Sequence, residues 1–449
     1  MIALANSGWV GVMVRVLSAV LLAGTALVGA PGAAPAAADP GAVEPYRPAA
    51  GAKTVTGAGT TADAPALAAG TTYEDTVAPG ERYYRVVLDA RSSVYVSAVV
   101  RPGAGAKVGY ADGVDVTLMT NAGKACPGNP GRASFGYDPV PLAAVGVRQL
   151  AEDADCQAAG VYFVRLTRTS AKDDDQAPWP VELRVMREPG LAAGGAPAGA
   201  TVATVAPSVW PSAPPAVPGT EPVHRAGGSG FNDARALGPG VWRDDLRPGQ
   251  TRWYRVPLDW GQQLAVGAEL AGARMTKQYG TAYAGLGVSL YSPYRSLVGA
   301  KDTPYDGKQA AAGLGLTPPV AYENRLSDDR WVRPVRVAGW YYVAVTMGAK
   351  VGEFTEDATP VPLTLRLTVQ GRAAAAPPYA EDPAKGGFGV SADDRAAVRE
   401  GLTAPEAVAA AGTRSVMRAV ATGGFGAGAL LLAVLGGWVL LARRGARTS

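Results

Sequence analysis

Along much of this chain apolar and polar residues alternate. At 363–369 the sequence LTLRLTV puts Leu363, Leu365, Leu367 and Val369 on one face and Thr364, Arg366 and Thr368 on the other. A period of two with branched residues predicts a β-strand buried on one side. Val181, Leu183 and Val185 repeat the pattern, with Glu182 and Arg184 expected outward. Leu264, Val266 and Ala268 alternate too, as do Val94, Val96 and Ala98. The pairs Pro79-Gly80 and Pro248-Gly249 are turns that launch a following strand. Helical signals are confined to the C-terminal part. Residues 391–420 are helix-like, with Ser391 as a candidate N-cap, acidic residues in the first turn and Pro405 as an interruption.

The strand pattern occurs twice. Asp63-Ala64, Ala66-Leu67 and Gly70 match Asp233-Ala234, Ala236-Leu237 and Gly240, and YYRVVLD at 83–89 matches WYRVPLD at 253–259. VDVTLMT at 114–120 answers LGVSLYS at 286–292, and Gly160 with VYFVRLT answers Gly339 with WYYVAVT. Last, Pro180 with VELRVM answers Pro362 with LTLRLT, so the offset grows along the chain through 170, 172, 179 and 182. Ordered blocks that differ only in loop length are an internal duplication. Half-buried antiparallel strands with Gly/Pro turns, written twice, predict an all-β chain of two tandem sandwiches.

These blocks resemble the bacterial pre-peptidase C-terminal domain, a small jelly-roll-like sandwich of secreted proteins. The likeness rests on the PG-x-x-[YW]YR-V-x-LD strand, the VDVTLM/LGVSLY strand, the AG-[VW]-Y-[FY]-V strand and the closing strand, over about 65–190 and 235–371. The resemblance implies two tandem jelly-roll-like antiparallel β-sandwiches. In the family such domains accompany a secreted hydrolase, and no catalytic domain accompanies them in this sequence. The second copy carries a long insertion between matched strands, beginning SPYRSLVG after Tyr291.

Both ends are apolar. Arg15, an apolar run from Val16 to Val28 and the small residues Ala36-Ala37-Ala38 have the anatomy of a secretory signal peptide over 1–38, with Met13 an alternative start. Residues 423–442 are twenty uncharged residues, which as a helix span roughly 30 Å, the thickness of the hydrocarbon layer. Arg443, Arg444 and Arg447 follow, so the tail at 443–449 is expected in the cytoplasm and the remainder outside a cell membrane crossed once. The expected order is a flexible segment at 39–59, a sandwich at 60–188, a Pro/Ala/Gly-rich linker at 189–228, a second sandwich at 229–371, and a partly helical stalk at 372–422. The two cysteines, Cys126 and Cys156, are expected to pair in an oxidising compartment.

Composition removes several function classes. The net charge of +4 has no basic cluster behind it, which argues against nucleic acid. The 58 glycines and 36 prolines among 449 residues suit turns and connectors. The only histidine, His224, falls in the Pro-rich linker, where nothing fixes a side chain for catalysis, so no enzyme and no cofactor are expected. Asp173, Asp174 and Asp175 precede the last strand of copy one, and Glu353, Glu356 and Asp357 occupy the corresponding loop of copy two. Such carboxylates could hold calcium through oxygen ligands, although a solvated acidic turn is the favoured reading. Trp253 and Trp340, on matched strands, are expected in the core. Tyr279, Tyr283, Tyr291, Tyr294, Tyr305 and Tyr322 lie in or near the insertion and are the candidate ligand-binding aromatics. The sequence therefore predicts a membrane-anchored, non-catalytic surface protein that binds an envelope protein partner. The alternative is a carbohydrate- or cell-wall-binding module using the aromatics of 279–322.

Overall fold

A computed structural model describes residues 44–445, except 104, 128–130, 137, 151–154, 193–220 and 357–358. The first unit contains β1 (Lys53–Thr54), β2 (Ala66–Leu67), β3 (Thr72–Val77), β4 (Gly80–Leu88), β5 (Ser92–Val100), β6 (Gly113–Thr120), β7 (Arg132–Ser134), β8 (Leu142–Arg148), β9 (Gly160–Thr169) and β10 (Trp179–Pro189). The second contains β11 (Val223–His224), β12 (Arg235–Ala236), β13 (Gly240–Leu246), β14 (Thr251–Leu258), β15 (Gln263–Leu270), β16 (Ala282–Tyr291), β17 (Leu297–Tyr305), β18 (Ala310–Leu314), β19 (Gly339–Met347) and β20 (Val361–Gln370). Each unit is two five-stranded sheets. The orders β1-β3-β10-β5-β8 and β2-β4-β9-β6-β7 recur as β11-β13-β20-β15-β18 and β12-β14-β19-β16-β17. Every strand thus has a counterpart ten strands later.

That correspondence changes the reading of the insertion. Its first part forms β17 and β18, the equivalents of β7 and β8, so the extra length falls in the β18–β19 connection, 315–338, against the shorter 149–159 between β8 and β9. The first strand of each unit also lies upstream of the expected boundary. β1 falls in the segment expected to be flexible and β11 in the expected linker, where His224 sits on an exposed strand with Nε2 4.0 Å from Asp245 Oδ2.

The same buried tie fastens both upstream segments. Asp75 Oδ2 accepts from the Tyr84 hydroxyl and the Gly57 amide, each at 2.7 Å, and Asp244 Oδ2 accepts from Tyr254 and Gly227 at the same distances. A Cβ at Gly57 would stand 2.7 Å from the Tyr84 ring, and one at Gly227 2.9 Å from that of Tyr254. Only glycine lets the backbone lie on the tyrosine face.

The alternating apolar residues fill two separate sandwich cores. Val86, Val96, Leu118, Val164, Val181 and Leu183 lie in the first, and Val256, Val266, Leu290, Val343, Leu363 and Leu365 in the second. The residues between them do not all face water. The outward face of the β5/β8/β10 sheet packs on the outward face of the β14/β16/β19 sheet, giving four layers. Val99 and Ala143 of the first unit cluster with Trp253, Tyr291, Tyr342 and Ala344 of the second. Tyr95, Val147 and Met186 cluster with Tyr294, Val337 and Phe388. Trp253 is therefore buried between the units and not in a sandwich core, and Trp340 packs partly buried against the same seam. Glu182, expected outward, is fully buried there.

The segment after β20 returns to this seam. Ala380 N donates to Gly190 O at 2.9 Å, Tyr379 donates to Glu188 Oε1 at 2.8 Å, and Phe388 is buried beside Tyr95. The helix α1 (Ala392–Glu400) starts as expected at Ser391, whose hydroxyl accepts from Asp394 N while Asp394 accepts from Ser391 N, and it stops at Gly401 with φ of 68°. A new helix, α2 (Ala404–Gly445), then begins, with Pro405 in its first turn. The expected membrane segment at 423–442 falls within α2, but most of its side chains lie outside the described set. Among the described residues no helix is long and apolar enough to cross a membrane. The expected signal peptide, 1–38, lies wholly outside the described residues.

Candidate functional site at a tyrosine-bearing edge

Among the described residues the most exposed tyrosines are Tyr110 on the β5–β6 loop, Tyr279 on the equivalent β15–β16 loop and Tyr283 at the start of β16. Tyr110 is 79% exposed, Tyr279 81% and Tyr283 76%. These rings stand on fixed backbone. After Tyr110 the buried Asp112 accepts from Gly109 N at 3.0 Å and from Ala171 N at 2.8 Å. Beside Tyr279, Gly280 is pressed on Phe354, where a Cβ would come within 2.2 Å of the ring. Tyr283 lies where the β16–β17 register shifts between Ala282 and Leu286. A bulge there turns a ring that strict alternation would place differently.

The β5–β6 loop and the start of β16 flank the β7–β8 connection. Phe135 N donates to Asp112 O at 3.0 Å, and Arg132 donates to Ala111 O at 2.9 Å, which ties that connection to the Tyr110 loop. At its other end Asp138 Oδ1 accepts from Ala349 N at 3.3 Å, next to Gly348, whose N–H reaches Gly285 O at 3.0 Å. Tyr110 and Tyr283 thus border one edge built from both units. Burial pushes the Asp138 carboxyl up from its ordinary value against the Ala349 donor, with Asp302 adding like charge.

The other expected tyrosines are structural. Tyr305 is in the core of the second sandwich, and Tyr291 and Tyr294 fill the seam, with Tyr294 stacked on Tyr95 at 4.2 Å between centroids. Burial raises the Tyr291 and Tyr305 hydroxyls to about 12. Tyr322 is partly buried, with the Arg325 guanidinium 3.2 Å from its ring centroid. Tyr110, in the first copy, was not among the expected residues. Its signal was a tyrosine four residues ahead of VDVTLMT, where the second copy has Tyr283 three residues ahead of LGVSLYS.

The acidic loop residues do not converge. Asp173 is exposed, Asp174 faces Lys107 Nζ at 3.4 Å, and Asp175 accepts from Trp179 Nε1 and Ala177 N, each at 2.9 Å. Trp179 and Ala177 hold the Asp175 carboxyl below its ordinary value. Glu353 and Glu356 are exposed and Asp357 lies outside the described residues. Among the described residues no group of three or more His, Cys, Asp or Glu could hold a metal ion. Cys126 and Cys156 form the expected disulfide, with Cα atoms 5.6 Å apart.

Two buried ion pairs hold the units together. Arg295 meets Glu182 at 2.5 Å and Arg325 meets Glu188 at 2.8 Å, all four side chains nearly inaccessible. Glu182 also accepts from Ala49 N at 2.9 Å and Asn232 at 2.7 Å, and Glu188 accepts from Tyr95 at 2.5 Å. Burial pushes both carboxyls up, but Arg295 and Arg325 with these donors overcome it and hold both below the usual glutamate range. Burial opposes the charge on each arginine too, and the facing glutamate raises it.

No known protein family matches the chain, and neither does any curated protein. Among solved structures the chain is similar to the pre-peptidase C-terminal domain of collagenase from Bacillus anthracis, at 12% identity over 27% of this chain and 94% of that one, with a TM-score of 0.17. It is also similar to the tandem CBM22 domains of Paenibacillus barcinonensis Xyn10C, at 14% identity over 69% and 93%, with a TM-score of 0.17. A third is the human CUB1-EGF-CUB2 region of MASP-1/3, at 6% identity over 66% and 99%, with a TM-score of 0.16. At such TM-scores the likeness carries no inference about ligand or activity.

Proposed function

We propose that this is a membrane-anchored, non-catalytic surface protein whose two duplicated sandwiches, each resembling the pre-peptidase C-terminal domain, bind an envelope protein partner. The observation that carries the reading is the exposure of Tyr110, Tyr279 and Tyr283 on backbone held by hydrogen bonds or close packing. A tyrosine so placed offers a large apolar face and a hydrogen-bonding tip at little entropic cost, the property that makes it an anchor in protein interfaces. Anchoring would come from the 423–442 stretch of α2. Leu431, Leu432, Leu435 and Trp438 there are exposed among the described residues, and Arg443 and Arg444 follow. Export would come from residues 1–38.

The test is cross-linking on intact cells, capture through the C-terminal tail and mass spectrometry, comparing the natural chain with Tyr110→Ser/Tyr279→Ser/Tyr283→Ser. Deleting 279–322 would be a poor control, since it removes β17 and β18 along with the core residue Tyr305. A single stoichiometric protein recovered with the natural chain and lost with the triple variant is the expected result. Recovery of wall polysaccharide without such a protein would put carbohydrate binding in its place.

A further inference from the structure

A cleft of about 610 Å³ opens where the two sandwiches meet the returning C-terminal segment. Arg184 on β10 lines it from the first unit, Arg255, Trp340 and Tyr342 line it from the second, and the turn between Asp382 and Asp394 closes it. The two arginines differ from the others of the seam. Arg295 and Arg325 each face a glutamate, and Arg336 has Gln149 at 2.5 Å and the rings of Tyr95 and Tyr294.

Arg255 is only 5% exposed. Its guanidinium lies over Trp340, 4.1 Å from the ring centroid, and Nη2 donates to Leu402 O at 3.3 Å, while Nε has no hydrogen-bond partner. No ion pair or side-chain hydrogen bond among the described residues engages Arg184. Burial lowers the pKa of both and Arg295 adds like charge against Arg184, while Glu182 beside Arg184 and Asp394 and Glu406 near Arg255 oppose the shift without pairing with either guanidinium. The carboxylates of the cleft are committed elsewhere. Asp394 accepts from Trp340 Nε1 at 2.9 Å and from Ser391 N and Oγ at 2.8 and 2.7 Å, and Asp382 accepts from Ala384 N at 2.9 Å. A desolvated cation without a counter-ion is costly, and the cost is relieved by an anion that offers oxygens to the guanidinium fork.

We propose that the cleft is a binding site for a small organic anion, with Arg184 and Arg255 receiving its carboxylate or phosphate oxygens and Trp340 and Tyr342 flanking its body. The site is separate from the tyrosine edge and does not depend on it. Calorimetric titration of the full chain in detergent micelles, with citrate and separately with inorganic phosphate, reads it directly. Saturable one-to-one binding of either probe is expected, weakened at least tenfold by Arg184→Met and by Arg255→Met. Both variants should melt no lower than the natural chain, because each removes a charge that no carboxylate pairs, buried at Arg255 and partly buried at Arg184. If a Met variant fails to fold, Arg184→Lys serves instead: it keeps the charge, loses the fork and should weaken binding at least threefold. Citrate alone would mark a carboxylate ligand and phosphate alone a phosphate ligand. Absence of saturable binding overturns the proposal, as does binding that the variants leave unchanged, which would be an adventitious ion only.

Discussion

Glu182 keeps its charge inside the protein because Arg295 reaches it from the other sandwich, with Ala49 and Asn232 filling its remaining acceptor positions. A buried pair is worth little against an apolar substitute, but breaking one strands the survivor in low dielectric. Arg295→Met alone should therefore destabilise the protein by about 3–5 kcal/mol in denaturant titration. Glu182→Leu combined with Arg295→Met should recover most of that loss, and a double variant no better than the single one would show that the pair is not the cause. At this scale much was readable from sequence. Ser391 caps a helix because a serine followed three residues later by an acid satisfies two orphan amides locally. Cys126 and Cys156 form the disulfide that a lone pair of cysteines suggests. The partner of Glu182 was not readable, since nothing local to either residue points to the other.

Among the elements, β5 shows where alternation misleads. Val94, Val96 and Ala98 face their own sandwich as expected, yet SSVYVSAVV is buried along its whole length because Tyr95 and Val99 face the second unit. A run relieved by no charged residue, only by small serines, is the mark of a strand covered on both sides, and it stood in the sequence. So did the contrast between copies. Tyr83, Val161 and Arg165 of the first copy correspond to Trp253, Trp340 and Ala344 of the second, where that face is covered. The strand-to-strand contact also carries a pH dependence. Glu182 and Glu188 have folded pKa values below that of an unfolded glutamate, roughly 4.3. Their stabilisation is complete above that unfolded value and is lost as pH falls through the depressed folded values. Arg295, Arg325, Arg336, Tyr46, Tyr95 and Tyr379 face them and do not titrate in that range. Unfolding midpoints measured from pH 7 to pH 2 should stay level down to about pH 4 and then fall. The Glu182→Leu/Arg295→Met variant should show a smaller drop, and an equal drop would assign the acid sensitivity to other groups.

For the whole molecule, the seam makes one body of what the linker composition suggested were two. Val99, Ala143, Trp253, Tyr342 and the two ion pairs would meet water if the units parted. Calorimetric melting of the natural chain should give one transition. Two well-separated transitions would mean that the units unfold independently and that the seam adds little. The exposed tyrosine edge and the anion cleft both depend on this stacking, because each is assembled from both units.

Period-two alternation, Gly/Pro turns and the duplicated blocks were enough to read strands, two sandwiches and their order, because those features follow from chemistry within a few residues. Which outward faces meet water was decided only in three dimensions. A strand has two faces, and its own sandwich covers one. Whether Glu182, Arg184 and Trp253 face solvent depends on a second sandwich whose approach no local period records. The same reason separates the six expected tyrosines. Tyr279 and Tyr283 stay exposed, Tyr291 and Tyr294 are buried in the seam, Tyr305 is buried in a core, and Tyr322 is partly buried. Their residue type and their stretch of sequence are shared, but their burial is set by packing between segments far apart in the chain.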